Sequence, residues 1–413
     1  MSEKLRVAFS LPQTGDQWVA VTAALLPIAL VLGSVAFELV VAGTGLMWLV
    51  QSLFFRPHRQ RIRIQPTFWP IVLWMTGILL SRLVNGFSAA GFLHDFLYLR
   101  YMVFFLAIVD ISERLDIDRY LLAGVMTGII WAALNTLLAL GLGFDIIGDP
   151  VSFYTEKLHE GERIAAFSAY VFPFLVLRFI SGRDLKKYER FFLCILIVLA
   201  GGLLFITKIR TAWLAAGIGI VGGLAITLQG RYRWGIAGGV AVAMIAGGLL
   251  MYFSGYQTSM GSMYDRYWIW QRSLTLWMEN PVLGVGISNF SNAIYQLAAS
   301  TDFAPYIAPD GAAYQVQYAS HSHDLYLHLL SCTGIWGFLS FFWLVFAATR
   351  RWMQNRSCWR VGLGACPFVL LGIGFTGWTV YDSFYACIVI FFLAWLTVSR
   401  PSPPAEEYAG SAA

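Results

Sequence analysis

FFLCILIVLAGGLLFITKIRTAWLAAGIGIVGGLAITL, residues 191–228, is an apolar run broken once, at Thr207–Arg210, by a short polar hinge carrying Lys208 and Arg210. Each half is apolar on every side rather than alternating, so neither reads as a half-buried strand. Each also approaches the roughly 20 residues that a helix needs to cross a bilayer. The pair therefore reads as two antiparallel membrane helices, 191–207 and 211–228, joined at one membrane face.

The same pattern extends through the chain. Its 413 residues are 58% hydrophobic and only 12% charged, with a mean hydropathy of +0.66, far too apolar for a soluble domain of this length. Further apolar spans fall at 18–34, 36–55, 67–84, 94–111, 120–142, 164–181, 235–253, 323–347, 361–379 and 384–399. The expected fold is an all-α integral membrane protein with about twelve spans, or one fewer if the long run split around Glu38 is a single helix. The continuous apolar runs exclude an outer-membrane barrel, whose strands alternate. The expected organisation is nine helices within 1–253, a soluble segment at 254–322, three helices within 323–399 and a short tail at 400–413.

Cations set the orientation. With both termini in the cytoplasm, nineteen of the 28 lysines and arginines lie inside, in clusters at 56–63, 183–190 and 350–360 among others. Seven lie outside: Arg82, Lys157, Arg163, Lys208, Arg210, Arg266 and Arg272. This asymmetry satisfies the positive-inside rule and puts 254–322 on the outer, periplasmic side. The net charge of +5 then reflects membrane orientation, with no nucleic-acid partner implied. The N-terminal residues read as a cytoplasmic lead-in rather than a cleaved signal. Cys194, Cys332, Cys358, Cys366 and Cys387 lack paired spacing and read as ordinary small residues of apolar segments.

Outer cations run against the orientation rule, so another force must retain them. Arg210 sits in the hinge, Arg82 ends a span in ILLSRLVNG, and Arg100 lies within FLYLRYMVFF, where a charge needs a partner or a wet cavity. Arg266 and Arg272 belong to YDRYWIWQRSLTLW, an aromatic amphipathic stretch suited to the membrane interface. Each could snorkel to headgroups or pair with a local acid. Together they suit an anion, and guanidinium forks match phosphate geometry.

Beside them, ASHSHDLYLHLLSC (319–332) holds three of the six histidines. Ser322 is a good helix N-cap. Capping there would make His323 the first helical residue, where the helix dipole favours a neutral, proton-accepting imidazole. His321 can turn toward the same cavity, whereas His328 is expected on another face in a structural role. No HxxxH or HExxH spacing favours a metal. A general base beside a cationic pocket fits better.

These features resemble the O-antigen ligase and polymerase superfamily of bacterial inner-membrane glycan-transfer proteins. TKIRTAWLA (207–215) is similar to its Ser-Arg motif, with Arg210 as the arginine. RYWIWQRSLTLWMENPVLGVGISNF (266–290) is similar to its Arg-x-x-x-Trp, Asn-Pro and Gly-x-Gly succession, and HDLYLHLLSCTGIWG (323–337) to its histidine helix, with His323 as the histidine. Ile209 replaces a small hydroxyl residue and Asp324 an Asn.

The resemblance implies a GT-C-like fold and a periplasm-facing glycosyltransferase with neither metal nor cofactor. His323, Arg210 and Arg266 would be catalytic, and Arg82, Arg100, His321 and Arg272 would bind substrate. The donor would be an undecaprenyl-diphosphate-linked glycan and the acceptor lipid A–core oligosaccharide, met among membrane lipids, with inversion at the anomeric carbon. Polymerases of the superfamily often differ more in span lengths, and ligases that glycosylate proteins tend to carry a longer C-terminal region than this short tail, so the chain is most similar to the lipopolysaccharide ligases, with the polymerase as the alternative. A transporter or lipid flippase is the rival of another class. Such proteins carry ionisable or helix-breaking positions at mid-membrane in related halves, and no internal repeat is visible here.

Overall fold

The computed structural model describes residues 14–55, 65–143, 161–227, 260–300 and 319–398, except 87, 183–184, 357–358 and 376, with 12, 235, 238–239, 306–307 and 313–314 as isolated positions. Its helices, in chain order, are α1 Gly15–Ala24, α2 Leu26–Leu32, α3 Ser34–Val50, α4 Phe68–Val84, α5 Ala89–Phe96, α6 Leu99–Ile111, α7 Asp118–Leu142, α8 Gly161–Ser181, α9 Lys187–Ile206 and α10 Arg210–Thr227. After them come α11 Met260–Glu279, α12 Phe290–Ser300, α13 Leu325–Gln354, a 3-10 turn at Arg360–Ala365, α14 Cys366–Gly374 and α15 Ser383–Thr397. A two-residue ladder, Tyr306–Ile307 with Ala313–Tyr314, is the one strand pair among the described residues.

Among the described residues, seven helices are long and apolar enough to cross a membrane, or eight if the pair α1 and α2, bent by 41°, forms one span. Phe68–Val84, Arg360–Gly374 and Ser383–Thr397 are shorter apolar helices at three further expected positions. The expected ninth span, 235–253, lies almost wholly outside the described residues. The arrangement is that of a multi-pass integral membrane protein, with an interior of Trp, Phe, Ile, Leu and Ala side chains.

One boundary differs from expectation. The first apolar run breaks at Gly33 rather than around Glu38. Gly33 has φ +124 between α2 and α3, a conformation open to glycine and costly for side chains with a Cβ. Glu38 therefore lies inside α3, where a carboxylate needs a partner. It finds Arg100 of α6, which forks onto both carboxylate oxygens at 2.5 and 2.7 Å.

Helices approach closely where side chains are small. Alpha-helix α10, which begins with Arg210, packs on α8 and α14. At Gly219 an added Cβ would stand 2.4 Å from Val369 Cγ2. The helix α13 packs on α4, α11 and α15, and α15 packs on α3, α6 and α8. The histidine-bearing helix thus touches the arginine-bearing α11 on one flank and α15 on another.

Candidate active site

The Asn-Pro and Gly-x-Gly turn at 280–286 is the piece that registers α11 against α13. Helix α13 is broken at Gly334, with φ +61 and ψ −165. A break releases backbone groups on both sides, and each needs a partner in a buried setting. The turn supplies them. Val285 and Gly286 donate their N–H groups to the carbonyls of Ser331 and Cys332, each at 2.8 Å. In return, Ile335 and Trp336 donate to the carbonyls of Pro281 and Val282 at 2.9 and 3.2 Å. Glycine is required because the backbones nearly touch. A Cβ at Gly284, where φ is +63, would lie 2.4 Å from Cys332 C.

Side chains from α4 tighten this dock. Ser81 Oγ donates to the Cys332 carbonyl at 2.9 Å, and Asn85 Nδ2 to the Gly284 carbonyl at 2.6 Å. Arg82, only 3% exposed, donates to Asn289 Oδ1 at 2.5 Å and to Ser88 Oγ. Asn289 Nδ2 in turn donates to the Asn85 carbonyl at 3.1 Å.

The histidines follow at the start of α13. The helix is capped by Asp324, not Ser322: Asp324 Oδ1 accepts the Leu327 N–H at 2.8 Å. Ser322 Oγ instead donates to the Asp324 carbonyl at 2.6 Å. His323 therefore precedes the cap rather than opening the helix, and its φ of +52 excludes it from the helical conformation. A non-glycine residue held there stores strain of the kind found at functional sites. Burial pushes the Asp324 carboxyl up, with backbone hydrogen bonds opposing.

His321 Nε2 and His323 Nδ1 stand 3.1 Å apart, and His321 Nδ1 is 3.0 Å from Ser320 Oγ. One hydrogen-bond arrangement keeps both rings neutral, with His323 Nδ1–H donating to His321 Nε2 and His321 Nδ1–H to Ser320. His328 is not turned away as expected. Buried, it accepts the Ser322 N–H on Nδ1 at 3.4 Å and meets the Phe290 ring edge-on at 4.5 Å. It thereby braces the loop carrying the other two. Among the described residues, no three His, Cys, Asp or Glu side chains group as metal ligands do.

The arginines separate by environment. Arg210 is exposed at the first turn of α10, reached through Lys208 at φ +54. Arg266 is half-buried on α11 and Arg272 fully buried there. Burial pulls both guanidinium groups below their usual value, as expected of cations removed from water, which an anion would restabilise. Arg82 and Arg100, expected at the substrate, are instead held by protein groups: Asn289 and Ser88 for the first, Glu38 and the Tyr101 hydroxyl for the second.

Two residues escaped the sequence reading. Asp382, the residue before α15, accepts the Thr379 N–H at 3.4 Å. Burial pushes its carboxyl up, while neighbouring His321 pulls it back. Glu162, at the start of α8, accepts from Trp378 Nε1 at 3.3 Å. Their signal was an acid at the very mouth of an apolar span.

Residues 195–342 match the family model described as O-Antigen ligase. The match supports membership of the O-antigen ligase/polymerase superfamily. It runs from α9 into α13 and includes Arg210, Arg266, Arg272, His321 and His323. Arg82, Arg100 and Asp382 lie outside it. No curated protein matches the chain. The superfamily points to a membrane enzyme of the glycosyltransferase type acting on polysaccharide and lipid substrates.

Proposed function

We propose that the protein is an O-antigen ligase: it moves a glycan from an undecaprenyl-diphosphate carrier onto a sugar hydroxyl of lipid A–core. It sits in the bacterial inner membrane with both termini cytoplasmic, and 254–322 and the site face the periplasm. The observation that carries the reading is the His321–His323 contact at the mouth of α13, a helix docked on the arginine-bearing α11, within the region of the family match.

In this reaction His323 Nε2 takes the acceptor hydroxyl proton as that oxygen attacks the anomeric carbon. The bond from that carbon to the carrier's phosphate oxygen breaks, and its electron pair leaves with the diphosphate. Arg210 and Arg266 hold the growing charge, and Arg272 supports the same anion from within α11. Because the guanidinium groups stabilise the leaving group, no metal or cofactor is called for. A single displacement inverts the anomeric configuration. His321 accepts from His323 Nδ1–H and fixes the ring.

The test is transfer by purified protein with carrier-linked glycan and lipid A–core. Long-chain product on lipid A–core is the expected result. Elongated carrier-linked glycan instead would make the protein the superfamily's polymerase, and no transfer with either acceptor would refute both.

A further inference from the structure

Ser322 and Asp324, on either side of His323, are both tied to His328 in the first turn of α13. Ser322, wholly buried, donates its backbone N–H to His328 Nδ1 at 3.4 Å. The Asp324 carbonyl accepts the His328 N–H at 3.0 Å and the Ser322 hydroxyl at 2.6 Å. With both neighbours pinned, the chain between them closes a tight loop, which His323 completes at φ +52. A buried backbone N–H needs a partner, and here an imidazole supplies it. That contact fixes the tautomer. A backbone N–H can only donate, so Nδ1 must carry its lone pair and the ring proton sits on Nε2, 3.6 Å from the Cys332 sulfur. The ring is held in place by Phe290, edge-on at 4.5 Å, and by Tyr381 at 5.6 Å.

We infer that His328 is a positioning residue for the transfer reaction: through Nδ1 it holds the Ser322 N–H and so sets the backbone that aims His323. The inference rests on the function proposed above in taking His323 as the base. A base must come within hydrogen-bond reach of the proton it accepts, and a displacement of about 1 Å can cost about a hundredfold in rate. His323 follows Ser322 directly, so release of the Ser322 N–H moves its ring. His321 is carried by the same loop, with its Nε2 3.1 Å from His323 Nδ1 and its ring 6.5 Å from that of His328. What the loop requires is an acceptor at the place of Nδ1, not an imidazole as such. Asparagine carries its Oδ1 as many bonds from Cα as histidine carries Nδ1, whereas glutamine puts its amide one bond further out.

Purified His328→Asn, His328→Gln and His328→Phe proteins are assayed for transfer from carrier-linked glycan to lipid A–core, with gel filtration and unfolding midpoints giving the folded fraction of each. The kcat should fall about a hundredfold in His328→Gln and His328→Phe, with the KM for carrier-linked glycan unchanged, and should return toward wild type in His328→Asn. Equal losses in His328→Asn and His328→Phe, a kcat near wild type in His328→Phe, or losses that only follow the folded fraction overturn the inference. Ring-nitrogen NMR of histidine-labelled protein reads the same contact without turnover. The expected result is an Nε2–H tautomer for His328, and a His323 signal displaced in His328→Phe but kept in His328→Asn. An Nδ1–H tautomer, or a His323 signal unmoved in His328→Phe, overturns it. Wild-type protein that shows the expected spectra but transfers nothing sustains the hold of His328 on His323 and counts against the ligase reading alone.

Discussion

Gly334→Ala attacks the dock between the 280–286 turn and α13 at its tightest point. At φ +61 and ψ −165 the backbone occupies a region almost reserved for glycine, so any L side chain costs about 1–3 kcal/mol there. The added Cβ would also lie 2.2 Å from the carbonyl carbon and oxygen of Val282 and 2.5 Å from Leu283 N. These are backbone atoms with no rotamer to yield. Relief requires the turn to lift, which releases the Val285, Gly286, Ile335 and Trp336 N–H bonds to Ser331, Cys332, Pro281 and Val282. At about 0.5–1.5 kcal/mol each, losing all four costs roughly 2–6 kcal/mol, so the variant should be destabilised by at least about 3 kcal/mol. Gly86→Ala is the control: φ is +93, but nothing lies within 4 Å of the new Cβ, so it carries the backbone cost alone. Both are measured by denaturant unfolding in a fixed detergent, followed by tryptophan fluorescence. Gly334→Ala should unfold well before Gly86→Ala, and transfer should fall further than the unfolded fraction explains, because the dock registers His323 against Arg266. Equal stability of the two variants would refute the argument.

Other substitutions separate chemistry from support. His323→Ala should lower the transfer rate about a hundred- to ten-thousand-fold while carrier-linked glycan still binds, as loss of a general base predicts; a rate near wild type, with His321→Ala inactive, would move the base to His321. Arg210→Ala should abolish transfer in protein that still inserts, and Arg210→Lys should restore only part, since a point charge lacks the bidentate fork; full activity of the alanine variant removes Arg210 from the site. Asp324→Ala should cost about 1 kcal/mol through the lost cap, whereas Asp324→Asn should keep the cap. The pH dependence of that pair has a definite sign. Burial raises the folded Asp324 carboxyl above its ordinary value, so the folded chain holds this proton more readily than the unfolded one, and wild-type stability falls as pH rises through that interval. Asp324→Asn should match wild type below the interval and exceed it above, read from unfolding midpoints; a constant difference across pH would refute the assignment.

What the sequence disclosed, and what it withheld, follows from the range of each interaction. Spans such as 191–207 and 211–228 were legible because continuous apolarity is a local property, and the structure places α9 and α10 on them. The helix mouth beside His323 was legible for the same reason, but its cap was not. Ser322 and Asp324 are both strong capping residues two positions apart, and the choice is decided by the left-handed backbone of His323, which no composition reveals. The Asn-Pro and Gly-x-Gly turn could be recognised, yet its purpose depends on a break at Gly334, about fifty residues away in sequence. The arginines show the same limit most sharply. Orientation disfavours every outer cation equally, whether it is retained for a ligand or for a protein partner, so Arg82 reads like Arg210 and Arg266, and Arg100, embedded in an apolar helix, is disfavoured on its own account. One further step was within reach of the sequence. Glu38 and Arg100 are both charges embedded in apolar helices, where isolation is expensive, and two such charges of opposite sign near the same membrane face are each other's cheapest solution. That pairing gives Arg100 a protein partner on α3. Charge pairing inside the bundle thus sets Arg100 apart from Arg210 and Arg266, the two arginines proposed to hold the diphosphate.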